Sequence, residues 1–292
     1  MTRPVRFLAA EAPPERARFV LVGVPMDHTT SFRPGTREGP ARIRQVSEGL
    51  ESYSPRWNVD LADAALADAG DVELPWGDVE GSLARIQQEV GRLLEGGRTV
   101  VVLGGEHLLT LACVQAAARR FSGLRVVQLD AHLDLRDTYL GQRLSHATVM
   151  RRVAEQVGLA SLAGLGVRSG VREEWELRGR TFAAGEGTLL EQVRRVVPWV
   201  QGAPFYLTVD IDVVDPAFGP GTGTPEPGGP SSAELLEAVG LLAACRPVVV
   251  DVVEVCPPRD PSDQTSILAA KVVREVICAA LAGWRGQMGD GS

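Results

Sequence analysis

Two short runs of acidic residues and histidine follow apolar segments of the sequence. Asp130, His132 and Asp134 stand at every second position of VVQLDAHLDLRD (126–137), and Asp210 and Asp212 repeat that spacing at the end of PFYLTVDID (204–212). Side chains two residues apart in an extended segment lie on the same face, about 6.5 to 7 Å apart. Each run can therefore present metal-ligand side chains in one direction.

Two further apolar runs end in residues of the same kind. His107 follows RTVVVLGG (98–105), and Glu254 stands near the end of PVVVDVVEV (247–255). If all these runs are parallel strands, their carboxyl ends meet at one edge of a sheet, where α/β proteins bind their ligands. The sequence therefore predicts a single site at that edge.

The candidate ligands are mainly carboxylates. Such a set suits two cations about 3.5 Å apart better than one, because carboxylates such as Asp130 and Asp210 can bridge neighbouring ions. Hard oxygen ligands with a minority of imidazole favour Mn²⁺ over zinc, with cobalt or nickel as substitutes. The predicted ligands are His107, Asp130, His132, Asp134, Asp210 and Asp212.

The elements that must position these residues alternate along the chain. Short β-branched runs are separated by amphipathic, helix-like stretches, which is typical of a parallel sheet buried on both faces in an α/β fold. We expect one domain over 1–292, with an N-terminal extension at 1–16 and a flexible tail at 285–292. The predicted strands are 18–25, 67–72, 98–105, 124–132, 162–168, 181–185, 204–212 and 247–255.

Composition excludes several classes of protein. A net charge of −7 argues against a nucleic-acid surface and fits a small cationic substrate. The four cysteines lie far apart without CxxC spacing, which indicates reduced core residues of a cytosolic protein. With no signal peptide and no run of about 18 apolar residues, we expect a cytoplasmic protein without a membrane partner.

The motifs together resemble the ureohydrolase family, the arginases and agmatinases, over nearly the whole chain. The resemblance implies a three-layer α/β/α fold with a mostly parallel eight-stranded sheet and a homo-oligomer, a trimer or hexamer. The matching segments, in the family's order, are GVPMDHTTSFRPGTREGPARIR (23–44), GGEH (104–107), LDAHLD (129–134), SHATVM (145–150), VDIDVVDPAFGPGTGTPEPGG (209–229) and DVVEVCPP (251–258).

The resemblance implies hydrolysis of a guanidino group to urea and an amine at a dimanganese centre. A guanidinium is resonance-stabilised, so the reaction needs an activated water and a general acid for the departing amine. In this family Asp130 and Asp210 would bridge the ions. One ion would take His107, Asp130, Asp134 and Asp210, and the other His132, Asp130, Asp210 and Asp212.

Three further residues match functional positions of the family. His146 matches the proton shuttle, although it could simply begin a helix. Glu254 matches the carboxylate that holds the substrate guanidinium. Thr224 matches a threonine near the guanidinium pocket, and a simple turn role is an equal alternative. Asp251 is interpreted as a structural residue at a strand end rather than as a group that orients a ligand. His28 is interpreted as a loop residue of no special role rather than as a substrate contact.

The likeness has departures that bear on substrate and turnover. Glu106 stands where the family more often has Asp, and Ala147 where Gly is usual. The Ser-Gly-Asn run of arginases is absent, so agmatine is favoured over arginine, with aminopropylagmatine or a guanidino acid as alternatives. The distal end of the substrate could be contacted by Arg136, Tyr139 or Arg143, and the sequence does not distinguish among them.

Two other classes of protein stay open at this point. A deacetylase-like enzyme with mononuclear zinc would have a related fold and would use a DxH pair and one further Asp. The full DxHxD run, the second Asp pair and His107 of this sequence instead indicate two metals. A catalytically silent homologue could bind the substrate without turnover, although the intact ligand set and His146 argue against it.

Overall fold

A central parallel sheet positions every candidate site residue. The computed structural model describes residues 5–181 and 186–289. Their strands are β1 (Phe19–Val24), β2 (Tyr53–Ser54), β3 (Val59–Asp60), β4 (Leu66–Asp71), β5 (Thr99–Gly104), β6 (Arg125–Leu129), β7 (Leu162–Leu165), β8 (Phe205–Asp210) and β9 (Val249–Val253). The main sheet has the order β4–β1–β5–β9–β8–β6–β7, and all its pairs are parallel.

Helices cover both faces of this sheet. They are α1 (Gly39–Ser47), α2 (Val79–Leu93), α3 (Leu109–Arg120), α4 (Val149–Val157), α5 (Arg172–Arg178), α6 (Leu189–Val200), α7 (Ser232–Ala243) and α8 (Gln264–Gly289). One core cluster joins α1, α6, α7 and α8 to the sheet, and a second joins α2, α3 and α4 to its other face. This arrangement is the predicted three-layer α/β/α fold.

The inner strands β1, β5, β8 and β9 are buried along their whole length because both of their faces are covered. Valine predominates in them, as expected for strands buried between two helical layers. Burying an unpaired polar group in the core is unfavourable in free energy, so most polar side chains of this region lie where the strands end.

Most of the predicted strands are confirmed, including the short one at 67–72. The predicted strand at 181–185 cannot be assigned, because residues 182–185 lie outside the described ranges. The main sheet of the described residues has seven strands, not eight. The separate hairpin of β2 and β3 was not predicted. Its strands contribute two residues each, too few for an alternating apolar pattern.

Both terminal segments contain described structure. Phe7 of the predicted extension is buried, and its backbone N–H donates to Asp68 Oδ2 at 3.0 Å. Helix α8 continues to Gly289, within the predicted tail, and residues 290–292 lie outside the described part. None of the helices in the described ranges has the length and apolar character needed to span a bilayer.

Candidate metal centre

The four central strands of the sheet bring the predicted ligands to one edge. Strands β5, β9, β8 and β6 are consecutive neighbours, so their carboxyl ends form one continuous rim. The loop after β5 contributes His107, the segment after β6 contributes Asp130, His132 and Asp134, the end of β8 contributes Asp210 and Asp212, and Glu254 directly follows β9.

His107 lies at the centre of a ring of carboxylates. Its Nδ1 is 3.2 Å from Asp130 Oδ2, 3.2 Å from Asp134 Oδ2 and 3.3 Å from Asp210 Oδ2. Its Nε2 is 2.9 Å from Thr208 Oγ1, which fixes the orientation of the ring. The imidazole therefore presents Nδ1 to the same small volume that the three aspartates face.

A second histidine–carboxylate group lies beside the first. His132 Nδ1 is 2.9 Å from Asp212 Oδ2 and 3.5 Å from Asp130 Oδ1. Asp130 thus directs one oxygen to each histidine and belongs to both groups of residues that could hold a metal ion. The geometry places Asp130 between two adjacent sites, and it places Asp210 with the His107 group.

Hydrogen bonds fix the aspartates in these orientations. Asp130 Oδ1 accepts from the backbone N–H of His132 at 2.6 Å, and its Oδ2 accepts from Gln128 Nε2 at 2.7 Å. Asp212 Oδ1 accepts from the N–H of Ala131 at 3.1 Å. Ala131 and Leu133 are buried on the packed side, as the alternation predicted. Asp134 has a left-handed backbone, with φ of +52°, which aspartate tolerates better than most residues.

The electrostatics of the cluster fit bound cations. Burial, followed by repulsion from neighbouring carboxylates, raises the pKa of Asp210 well above its usual range and that of Asp134 to about 6. Burial opposes protonation of His132, but Asp130 and Asp212 outweigh it and raise its pKa to about 12. Buried carboxylates in such proximity require compensating positive charge.

The buried Nδ1 atom of His107 is the most direct indication that the cluster fits a cation. His107 Nδ1 is buried and has no hydrogen-bond partner among the described residues, although three carboxylate oxygens lie within 3.3 Å of it. A ring nitrogen and several carboxylate oxygens that face one point, without hydrogen-bond geometry between them, match the ligand set of Mn²⁺ or a similar divalent ion. The residues present therefore fit the metal that the sequence predicts.

Glu254 lies beside this cage. Its backbone has φ of +63°, its N–H donates to Gly105 O at 2.9 Å, and its Oε1 accepts from the N–H of His107 at 2.7 Å. Burial and, to a smaller extent, repulsion from the nearby Glu106 raise the pKa of Glu254 to about 8. Thr224 donates to Asp212 Oδ2 at 3.2 Å, so the loop that contains it also reaches the cage.

His146 lies outside the cage and is the first residue of a short 3-10 helix, His146–Thr148, which leads into α4. Its Nε2 is 2.9 Å from Ser31 Oγ, and its ring is edge-on to that of Tyr139, with 6.1 Å between the ring centroids. Burial is the largest of the effects that lower the pKa of His146 to about 4. The imidazole is therefore neutral at pH 7 and available to accept a proton.

The candidates for distal contacts separate into two groups. The Arg136 guanidinium lies 4.9 Å from the Tyr139 ring centroid, and that ring contacts His146. Arg143 is bound instead to Asp137 and Glu155, at 3.0 and 3.3 Å. Arg136 also pairs with Glu174, at 3.5 Å, but its contact with Tyr139 brings it close to His146, whereas the partners of Arg143 are exposed side chains away from that ring.

The remaining singled-out residues do not join the cage. Asp251 is buried and accepts hydrogen bonds from Thr110, at 2.6 Å, and from Tyr206, which supports the structural interpretation of it. His28 lies in the loop after β1, and no hydrogen bond or ion pair among the described residues links it to a predicted ligand.

Sequence reasoning missed several residues that orient the ligands. Gln128 and Thr208 each stand two positions before an aspartate of the cage, on the same face of the strand. Extending the alternation backwards into the strands would have found both. Thr29 and Ser31, which contact His146, could not be found this way, because loop conformation brings them to a segment more than a hundred residues away.

Fold and cage together define a class of protein: a three-layer α/β protein with a carboxylate–histidine metal centre at the carboxyl edge of a parallel sheet. Within that class, the chain belongs to the arginase family, whose family model matches residues 17–279. This membership confirms the likeness drawn from the motifs.

Relatives of this chain include enzymes that are called after different substrates. An agmatinase of Bacillus anthracis is 44% identical over 92% of this chain and 93% of its own length. An N(1)-aminopropylagmatine ureohydrolase of Thermococcus kodakarensis is 36% identical, over 89% of this chain and 90% of its own. The crystal structure of proclavaminate amidino hydrolase from Streptomyces clavuligerus superposes with a TM-score of 0.88 at 33% identity, covering 97% of this chain and 98% of that one.

Proposed function

We propose that this protein hydrolyses the guanidino group of agmatine, giving putrescine and urea. The observation that carries the proposal is the position of the Asp130 carboxylate, which faces both His107 and His132. Glu254 lies beside it and accepts a hydrogen bond from the backbone N–H of His107. Membership of the arginase family and 44% identity to an agmatinase support a ureohydrolase with this substrate.

We assign two Mn²⁺ ions per chain to the cage. The residues that would hold them are His107, Asp134 and Asp210 on one side and His132 and Asp212 on the other, with Asp130 belonging to both groups. Two such ions supply a nucleophile at neutral pH, because they lower the pKa of a water molecule bound between them. The crowded, buried carboxylates and the unpartnered His107 Nδ1 support this assignment.

Glu254 is positioned to hold the substrate guanidinium. Its Oε1 is occupied by the N–H of His107, so Oε2 remains for the planar donor fork of a guanidinium. The raised pKa of this carboxyl reflects its burial without a cation, and a bound guanidinium would favour the ionised form. Thr224, on the neighbouring loop, is a second polar group for that pocket through its contact with Asp212.

His146 is positioned to move a proton. The amine that leaves the guanidino carbon must be protonated, and a neutral imidazole can take a proton from the reacting water and pass it on. Burial lowers the pKa of His146, so its ring is neutral at pH 7. Contact with Ser31 on one side and Tyr139 on the other holds the ring between two loops.

The competing substrates differ at the end remote from the guanidino group. Aminopropylagmatine adds a second amine, arginine an α-amino acid and a guanidino acid a carboxylate. Agmatine is favoured because the arginase Ser-Gly-Asn run is absent between Asp134 and His146. Arg136 and Tyr139 are the side chains of this region adjacent to His146 that we expect near the distal end.

We further infer a cytoplasmic homo-oligomer, a trimer or hexamer, with a small cationic substrate as its main partner. All four cysteines are free, and Cys113, Cys256 and Cys278 are buried, which fits a reducing compartment.

A substrate panel tests the proposal. The Mn²⁺-loaded protein would be incubated separately with agmatine, aminopropylagmatine, arginine and a guanidino acid, and urea would be measured. We expect agmatine to give the highest kcat/KM. A higher kcat/KM for another guanidino compound would reassign the substrate, and no urea from any of them, despite bound metal, would leave a binding role instead of an enzyme.

A further inference from the structure

The loop after β1 is hydrogen-bonded both to the turn after β5 and to His146. Two backbone hydrogen bonds anchor it to the turn after β5, from Gly105 N to Val24 O at 2.9 Å and from Glu106 N to Met26 O at 2.7 Å. The fit is close, because a Cβ added at Gly105 would lie 1.9 Å from Met26 O. The start of this loop is therefore fixed to the strand that supplies His107.

Glu106 extends that anchoring through its side chain. It is fully buried, and its Oε2 accepts from the N–H of Thr29 at 2.7 Å and from the Thr29 hydroxyl at 3.0 Å. Thr30 Oγ1 is farther from the same oxygen, at 3.4 Å. Glu106 is thus bound to the loop rather than directed at the cage, although it is adjacent to His107 in the sequence.

Thr29 connects this anchor to His146. While the Thr29 hydroxyl donates to Glu106, it accepts a hydrogen bond from the backbone N–H of His146 at 2.9 Å. Two residues along the same loop, Ser31 Oγ lies 2.9 Å from the ring Nε2 of His146. The loop therefore contacts His146 at two points, the backbone and the reactive ring.

We propose that Thr29, oriented by Glu106, is a positioning residue for His146, and that Ser31 completes the support by orienting its ring. The inference rests on the proposed shuttle role of His146. It also gives a physical reason for Glu rather than Asp at position 106: a side chain about 1.5 Å shorter could not make both contacts with Thr29.

The first experiment compares Thr29→Val, Thr29→Ser and Thr30→Val in the full-length Mn²⁺-loaded protein. Valine is close in shape to threonine but lacks the hydroxyl, so we expect Thr29→Val to lower kcat about tenfold to 100-fold, since misplacement by about 1 Å can have that effect. Metal content should stay unchanged, and Thr29→Ser should recover most of the loss. Thr30→Val is the matched control, because Thr30 has no described hydrogen bond to His146.

A double-mutant cycle with His146→Ala separates positioning from general loop damage. If Thr29 acts through His146, adding Thr29→Val to His146→Ala should not lower kcat further. An equal loss of kcat in both backgrounds, or a loss of bound Mn²⁺ in Thr29→Val, would overturn the proposal. Unchanged turnover in His146→Ala alone would instead refute the shuttle role itself, so the two failures are distinguishable.

Variants of Glu106 test the other end of the connection. Glu106→Gln keeps the length and one acceptor oxygen for Thr29, whereas Glu106→Asp keeps the charge and shortens the side chain. Positioning through Thr29 predicts that kcat falls more in Glu106→Asp than in Glu106→Gln. The reverse order would mean that the charge of Glu106, rather than its reach, matters, and it would contradict the role given to Glu106.

Discussion

The metal cage and the mouth around it are built in different ways. The cage residues are carried by strand ends, are mostly buried, and are oriented by backbone N–H groups and by side chains of the same strands, as Asp130 is by Gln128 and His132. The mouth consists of two loops, 25–38 and 135–147, that meet through side-chain contacts at His146. The strand ends thus position the candidate metal ligands, while contacts between the two segments position His146.

The difference predicts how each region responds to substitution. Changes in the cage should remove the metal and with it all activity. Changes in the mouth should leave the metal in place and alter kcat, KM or substrate preference. The expected effects decrease from the shared carboxylate outwards.

Removing the shared carboxylate should have the largest effect. Asp130→Asn keeps the shape of the side chain but removes the charge that faces both histidines. We expect Mn²⁺ content to drop and urea production from agmatine to fall below detection, because a bridging ligand of both ions is lost. The measurements are metal analysis by mass spectrometry and a urea assay; retention of both ions with normal turnover would show that Asp130 is not shared.

The next largest effect is expected at the mouth. His146→Ala should lower kcat by about 100-fold or more, the usual contribution of a general acid or base, with Mn²⁺ content unchanged. Steady-state kinetics on agmatine, with metal analysis of the same sample, would check it. Loss of metal together with activity would place His146 in the cage and remove the distinction between the two regions.

An outer partner of the cage should have an intermediate effect. Gln128→Leu removes the amide that donates to Asp130 Oδ2, and we expect Mn²⁺ affinity to fall about tenfold to 100-fold, as is typical when such partners are lost. Excess Mn²⁺ should restore much of the turnover. An isothermal titration with Mn²⁺ would measure the affinity, and an unchanged dissociation constant would mean that Gln128 does not orient the ligand.

The smallest predicted effect distinguishes two arginines of the mouth. Arg136→Ala should lower kcat about twofold to fivefold, because an exposed cation–π contact contributes only ~0.5 to 1 kcal/mol and its loss loosens Tyr139 against His146. Arg143→Ala serves as the control, since Arg143 is bound to Asp137 and Glu155. Equal losses of kcat in the two variants would contradict the contact through Tyr139.

The cage was largely predictable from the sequence because its residues follow directly on buried parallel strands, although β6 itself ends at Leu129. Asp130, His132 and Asp134 alternate with buried residues, and parallel strands bring their carboxyl ends to one edge, so strand assignment alone predicts their convergence. The same reasoning could not find Thr29 or Ser31. Their positions depend on the path of a loop, which follows from local turns and long-range contacts rather than from a period of apolar residues.

The fold was likewise predictable where the apolar runs are long. Strands β1, β5, β8 and β9 are continuous buried segments, whereas the two-residue strands β2 and β3 carry no periodic signal. Glu106 shows the limit at a single residue. The sequence identifies it as a departure from the family pattern, and only the structure shows that its extra length reaches Thr29.

The most direct test of the binuclear centre is a titration of chelator-treated protein with Mn²⁺, following bound metal and urea production from agmatine in the same samples. We predict that binding saturates at two ions per chain and that full activity is reached only with the second ion. Saturation at one ion per chain with full activity would contradict a centre built around the shared Asp130 carboxylate.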